Sequence, residues 1–523
     1  MMSPRFNLLD EPWLPVRLLD GRVCEVGLLE AFQRASEIHS LAETAPPSLV
    51  AQYRLLLAIT HRALSCQLGR WKDRERAAWF REGLPQEAIA RYLQQWREHF
   101  WLFHPEQPFM QVAALAQLEE TRDKLKPWTQ VSLASASGNN AAVLDHSVDT
   151  LPVSISPAFA VRTLLGYLQF VPPGLVKCLR DADKAGPLAN TAAVLPLGHT
   201  LQQTLCLALH PAGRVDDLPS WERPITTRAD LLAAATLASG PNDRYTRPTR
   251  AVLLRPQDGD SIQWLHFCEG LGLTEDVMAP DPMASWRAGS PDPVRLRFEG
   301  GRAFWRDLPA LLPDPDRKMG HPATVLGWAS SLHRARGDEV GWQSLLVAGV
   351  TCNPKRVAAL LRWRSESLRL PKQALISAEI ASHIRDCLEE LETLHTKLCG
   401  YGVAALATSM PDPEHKDTRS RARALLDASG ATPAFFAIAE RGLPQLLALE
   451  ASGDGDALVR HWAGVQLAAA RAWWDQLQGV LGRTARALRA EAQQWPKFQG
   501  ICNKLKQVAQ PDHSKEEAVD EQH

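Results

Sequence analysis

The spacing of apolar and polar positions changes character several times along the chain. The opening residues alternate with a period of two. Leu14 to Leu19, the pair Asp20-Gly21 and Val23 to Val26 predict a β-hairpin, with Asp-Gly as its turn. Helical periodicity takes over from Leu28 to Phe103. It predicts a buried helix over Ala51–Leu64 and a second over Gln86–Phe100, stopped by His104-Pro105. Residues 104–157 read mostly as loop. Ser156-Pro157 then supplies an N-cap and a first-turn proline for a helix to about Phe170, ended by Pro172, Pro173 and Gly174. From Ala192 to Arg306 short strands mix with Pro- and Gly-rich loops. Val294 to Phe298 alternates like a strand, and Gly300-Gly301 looks like a hairpin turn.

Beyond Lys372 long Ala- and Leu-rich stretches dominate: 373–396, 419–428 with 433–449, 457–477 and 482–494. Four antiparallel helices would bury their shared apolar stripe, so a four-helix bundle is expected. The fold class is therefore α+β: an N-terminal domain of helices and short irregular sheets over 1–371, a bundle over 372–510, and a polar, disordered tail over 511–523.

Composition narrows the function. A hydrophobic share of 45% with 22% charged residues suits a sizeable soluble core. The net charge of -1 is unlike a free-standing nucleic-acid binder, but a subunit of a larger nucleic-acid machine needs only one basic face. The 9 cysteines are scattered with no C-x-x-C spacing, which argues against a zinc site or a disulfide framework. No signal peptide or membrane span is read, so a cytoplasmic protein with reduced thiols is expected.

Catalytic signatures are sparse. Walker A, G-x-S-x-G and H-E-x-x-H sequences are absent. Asp145-His146 has the form of a metal-binding pair, which opens a metal-dependent nuclease reading, but no matching ligands accompany it. His383 and Asp386 read as a salt-linked helix surface. Ser137 to Ser147 is a short polar loop whose Gly and Asn residues expose backbone N–H groups, which suits phosphate. Lys355, Arg356, Arg362, Arg364, Arg369 and Lys372 form a basic stripe with Trp363 interleaved, following a loop at Gly349–Pro354. Such a stripe suits a nucleic-acid backbone; the competing reading is a solvated helix face. In the second basic run, Arg70–Arg76, Asp73 and Glu75 favour a solvated surface.

Several segments together resemble one family, the large subunit (CasA) of the type I-E CRISPR Cascade complex. They are Phe6 to Val16, His104 to Gln111, Ser137 to Asn140 followed by Asp145 to Ser147, Tyr245 to Arg250, Asp281 to Ala284, and Gly301 to Asp307, in the family's order. The resemblance covers nearly the whole chain, including the helical C-terminus. It implies a non-catalytic subunit, without cofactor or metal, that contacts the protospacer-adjacent motif (PAM) in double-stranded target DNA. Such a subunit helps part the strands and recruits a helicase-nuclease, while the CRISPR guide RNA reads the remainder. Its implied partners are guide RNA, target duplex, the other Cascade subunits and the helicase-nuclease, with no membrane.

The resemblance also implies roles for residues. Ser137, Gly138, Asn139, Asn140, Asp145 and His146 fall in the loop that anchors the subunit beside the guide's 5′ handle. Pro172, Pro173, Gly174 and Lys177 fall where the family has a Gly-rich PAM-proximal loop. Two prolines there remove N–H donors and stiffen the backbone, so relaxed PAM reading is expected. Asn353 falls at the wedge, which the family carries in a β-hairpin, with Pro354 in place of the family's Gln. Pro354 is then an apolar wedge, with Lys355, Arg356, Arg362 and Arg364 on the parted strands. The family's PAM-contacting Lys has no counterpart between Lys184 and Lys318, leaving Arg287 as a substitute. A structural adaptor with relaxed PAM reading and a different effector is the further alternative.

Overall fold

In a computed structural model the described residues are 3–135, 148–174, 176–181, 183–212, 216–275, 279–289, 293–315, 320–353 and 356–510. They fall into two compact units. One comprises Met1–Phe304 with Asp316–Lys372, the other Trp305–Pro315 with Gln373–His523.

The first unit is organised on the helix Pro46–Leu68, which is buried around its whole circumference from Pro46 to Leu64. A helix without a polar face must be enclosed. The helices Pro157–Phe170 and Gln86–Gln95 and the strand Trp342–Asn353 pack against it. The N-terminal hairpin forms as expected: Leu14–Leu18 pairs antiparallel with Val23–Val26, and Gly21 takes φ +88° in the turn. A third strand, Ile38–Leu41, joins it and interrupts the helical periodicity read there. The helix expected over Gln86–Phe100 ends at Gln95; Arg97–Phe100 is a 3-10 turn, which places Trp101–Phe103 to pair with Arg5–Asn7. The strand expected over Val294–Phe298 pairs only at Val294–Arg295. Gly301 does occupy a turn, but a 3-10 segment, Phe304–Leu311, follows it instead of a second strand.

The second unit is a helical bundle. Four long helices, Ala378–Ser409, Ala431–Ser452, Gly455–Leu481 and Ala485–Ala509, pack with the shorter Lys416–Ala428. Their core is aromatic: Trp473 and Trp474 are buried, and Trp474 stacks on Phe498 at 4.3 Å. Residues Trp305–Pro315 belong to this unit. Arg306 makes two 2.8 Å hydrogen bonds to Glu392 and lies 3.3 Å over the Phe436 ring. His383 meets Glu450 of a neighbouring helix at 3.1 Å, so its partner lies across the bundle and not at Asp386. Among the described residues no helix is long and apolar enough to cross a membrane.

Candidate nucleic-acid interface

Ser156 caps the helix Pro157–Phe170 by accepting the Phe159 N–H at 3.2 Å, and the prolines at 172 and 173 cannot continue the helix. The segment beyond is held at its base. Gly186 N–H donates to Val171 O at 2.9 Å and Leu188 N–H to Gln169 O at 2.8 Å. The main anchor is Arg250, fully buried at the start of the strand Arg250–Pro256. Its guanidinium donates to Pro172 O (3.1 Å), Lys184 O (2.6 Å) and Thr249 O (3.0 Å). Its Nε lies 2.9 Å from a carboxylate oxygen of buried Asp183. Burial pushes the Asp183 carboxyl up to about 6, against the pull of Arg250 and Arg180. Farther along, Glu269 accepts the backbone N–H groups of Cys178, Leu179 and Arg180 at 2.8–3.1 Å. Between these anchors Pro173 and Lys177 are exposed, Pro172 and Gly174 half-buried. A Cβ at Gly174 would meet nothing within 4 Å, so the loop faces open space there.

Arg356, Arg362, Arg364 and Arg369 of the basic stripe lie on a strand, and Lys372 opens the short helix that follows it. Trp342–Asn353 and Arg356–Pro371 form one long antiparallel hairpin, registered from Trp342↔Pro371 to Asn353↔Arg356, with irregularities beside Cys352. The loop expected at Gly349–Pro354 is therefore strand through Asn353, and the helix-face reading of the stripe falls with it. Six apolar or small residues, Leu345 to Val350, sit centrally between Ala192–Leu197 and the returning strand, which explains the extended geometry. Contacts then split the stripe. Arg364 pairs with Glu366, donates to Glu299 O at 3.1 Å and lies over Phe298. Lys372 is taken by Asp338 at 2.7 Å, and Arg369 stacks on Trp342 at 5.6 Å. Arg362 and Trp363 are exposed. Pro354 and Lys355, and the side chains of Asn353 and Arg356, lie outside the described residues.

The loop expected to anchor the subunit, with Ser137, Gly138, Asn139, Asn140, Asp145 and His146, also lies outside the described residues. Its described flank presents apolar surface: Leu151 is 79% exposed and Val153 77%, and Phe159 stands edge-on to Trp128. Sequence reasoning passed over this flank because isolated apolar residues in a loop carry no periodic signal. Arg287 is engaged with Glu299 at 2.8 Å. The second basic run is a solvated surface at Arg70, Lys72 and Arg74, which are exposed, but departs from it at Arg76, which is buried and donates to Leu209 O at 2.9 Å and to Trp328 O.

Two of the motif segments hold the fold together. Asp281 pairs with Arg54, both fully buried, and Arg54 also donates to Gln169 and lies 4.6 Å over the Tyr245 ring. Burial raises the Asp281 carboxyl, but Arg54 and Arg244 more than offset this and hold it low. Arg247 pairs with Asp243, also buried. These arginines tie the segments around 169, 243 and 281 into one framework, from which the loop at Pro172 projects.

A helix-centred first unit, a projecting Pro-Pro-Gly loop, a long hairpin and a separate bundle define a two-unit α+β protein. The model of the CRISPR-associated protein Cse1 family matches residues 7–509. The CRISPR-associated protein CasA/Cse1 of Thermus thermophilus is 33% identical over 528 residues, covering 96% of this chain and 98% of that protein. The crystal structure of CasA from Thermus thermophilus matches with a TM-score of 0.82 at 30% identity, over 96% of this chain and all of that one. A chain of a CRISPR RNA-guided surveillance complex matches in fold, with a TM-score of 0.73 at 22% identity over 96% of this chain and all of that one. The chain belongs to the Cse1 family, the large subunit of type I-E Cascade.

Proposed function

We propose that this protein is a non-catalytic DNA-recognition subunit of an RNA-guided CRISPR antiviral complex. It contacts the PAM duplex, helps open the strands and offers a docking surface to a helicase-nuclease. The observation that carries this reading is the antiparallel hairpin Trp342–Asn353/Arg356–Pro371. Its connecting residues are Pro354 and Lys355, and exposed Arg362 and Trp363 stand on its returning strand. A two-stranded hairpin whose strands are joined in sequence by a proline and a lysine suits insertion at a duplex fork. Lys355, Arg356 and Arg362 take phosphates; Arg364 braces the arm through Glu366 and Phe298.

In the same reading, Ser137 to Ser147 with Asp145 and His146 seats the subunit beside the guide RNA handle and its neighbouring subunits, with the apolar flank at Leu151 and Val153 alongside. The loop at Pro172, Pro173, Gly174 and Lys177 meets the PAM with relaxed stringency, because two of its residues have no N–H to donate. The bundle serves effector recruitment.

The test is duplex binding by the assembled complex. Lys355→Glu with Arg356→Glu should weaken binding at every sequence and lower the salt slope by about 1 per lost phosphate contact. Unchanged affinity and slope would remove the hairpin from the interface. Cutting by the complex with Mg²⁺ that disappears on His146→Ala would replace this reading by the nuclease one.

A further inference from the structure

Scattered cysteines gave no metal signature in sequence, yet two of them meet in space. Cys268, near the end of the strand Ile262–Glu269, is fully buried, and so is its neighbour Glu269. Cys178, from the segment that follows the Pro172–Lys177 loop, is half-buried and faces both. The sulfurs of Cys178 and Cys268 and a carboxylate oxygen of Glu269 all lie within 4.8 Å of one another. A tetrahedral zinc site needs donors about 3.5–3.8 Å apart, from zinc–sulfur bonds of about 2.3 Å and zinc–oxygen bonds of about 2.0–2.2 Å, so small side-chain shifts suffice.

The hydrogen bonding of Glu269 marks where an ion would sit. One oxygen accepts the N–H groups of Cys178 and Arg180; the other accepts Leu179 N–H and, at 3.0 Å, the Cys268 thiol. The backbone thus fixes the carboxylate, and the fourth acceptor position is filled by a thiol proton. A metal ion takes the place of that proton without disturbing the three backbone bonds. Cys178 Sγ also lies 3.6 Å from Glu120 O, which puts a backbone carbonyl beside the cluster.

We propose that Cys178, Cys268 and Glu269 form a binding site for a thiophilic divalent cation of the zinc class, stapling the distal end of the Pro172–Lys177 loop to the strand Ile262–Glu269. On binding, two metal–sulfur bonds and one metal–oxygen bond form. The protons of both thiols leave to solvent, and no oxidant or reductant takes part.

The experiment uses the full chain, reduced with a phosphine, stripped of metal and titrated with Co²⁺ alone. The expected result is a thiolate-to-cobalt charge-transfer band with visible d–d bands of tetrahedral intensity, saturating at one equivalent and bleached by Zn²⁺. Cys178→Ser should abolish the band. It lies at a half-buried position whose N–H bond to Glu269 does not depend on the thiol, so circular dichroism should show an intact fold. Cys268→Ser should abolish the band as well. Cys399→Ser, which removes the bundle thiol 3.5 Å from His395, should leave it unchanged. Absence of the band in the parent chain, or its survival in Cys178→Ser, overturns the proposal.

Discussion

Removing the Arg250 side chain tests how the projecting loop is held. Arg250→Met keeps the apolar stem and deletes the guanidinium. Three carbonyls, those of Pro172, Lys184 and Thr249, lose a charged donor, and buried Asp183 loses its nearest cation. Breaking a buried pair by removing one partner costs about 3–5 kcal/mol, and each hydrogen bond from a charged donor nets about 1.5–3 kcal/mol where water cannot replace it. Pro172 is only half-buried, so water restores part of this. We expect about 3 kcal/mol locally, roughly a hundredfold in the opening equilibrium at about 1.4 kcal/mol per decade. A two-unit chain does not unfold in one step, so the assay is native-state hydrogen exchange, read at Gly186 and Leu188. Asp183→Asn should be nearly neutral by comparison, because burial already pushes this carboxyl up to about 6 and its charged form gains little. The sign follows. The folded protein holds the Asp183 proton below about 6 while the unfolded chain holds it only below its ordinary 3.8, so acidification from pH 7 reduces the Arg250→Met penalty. Unchanged exchange at Gly186, or equal effects of the two substitutions, would refute this reasoning.

Other perturbations have equally definite outcomes. Asp281→Ala leaves fully buried Arg54 without its carboxylate and should destabilise the first unit by about 3–5 kcal/mol, seen as lost exchange protection in Pro46–Leu68. Burial depresses His61 from 6.5 to about 3, so the unfolded chain binds the proton first; stability is complete above pH 6.5 and falls on acidification, by about 2 kcal/mol at pH 5, and His61→Gln should flatten that slope. In the bundle, a Cβ at Gly442 would come within 2.4 Å of Val465, so Gly442→Ala should cost about 1–3 kcal/mol of overpacking in a thermal scan, whereas Gly464→Ala, in open space within a helix, should stabilise by about 0.4–1 kcal/mol.

Legibility in the sequence followed the range of the forces involved. The Asp20-Gly21 hairpin, the Ser156-Pro157 helix start and the bundle helices are local, set by turn chemistry, capping and a 3.6-residue stripe, and they formed where expected, although two bundle helices run on to Ser409 and Ala509, past the expected ends at 396 and 494. The hairpin Trp342–Pro371 was implied only by the resemblance, which puts the wedge at Asn353 in a β-hairpin; periodicity does not disclose it, because Val357 to Leu361 lacks alternation and its strand geometry comes from pairing with Ala192–Leu197 through Trp342–Asn353. Arg76 and Arg250 look like surface cations in sequence, yet each is buried on backbone carbonyls far along the chain. Cys178 and Cys268 lie on separate segments, so no spacing rule could join them. Ser137 to Ser147 and the stripe from Lys355 to Arg364 were legible as phosphate-friendly chemistry in the sequence; their particular roles, and the loop at Pro172 to Lys177, came from ordered resemblance across weak motifs.

The central claim is that this subunit recognises target duplex through its loop and hairpin. The most direct measurement is binding of a randomised-PAM duplex library by the guide-loaded complex, with and without this chain. The account predicts duplex binding that requires the chain, with a shallow but reproducible PAM preference that sharpens in a Pro172→Gly/Pro173→Gly variant. Equal binding by complexes lacking the chain, with the same PAM profile, would contradict it.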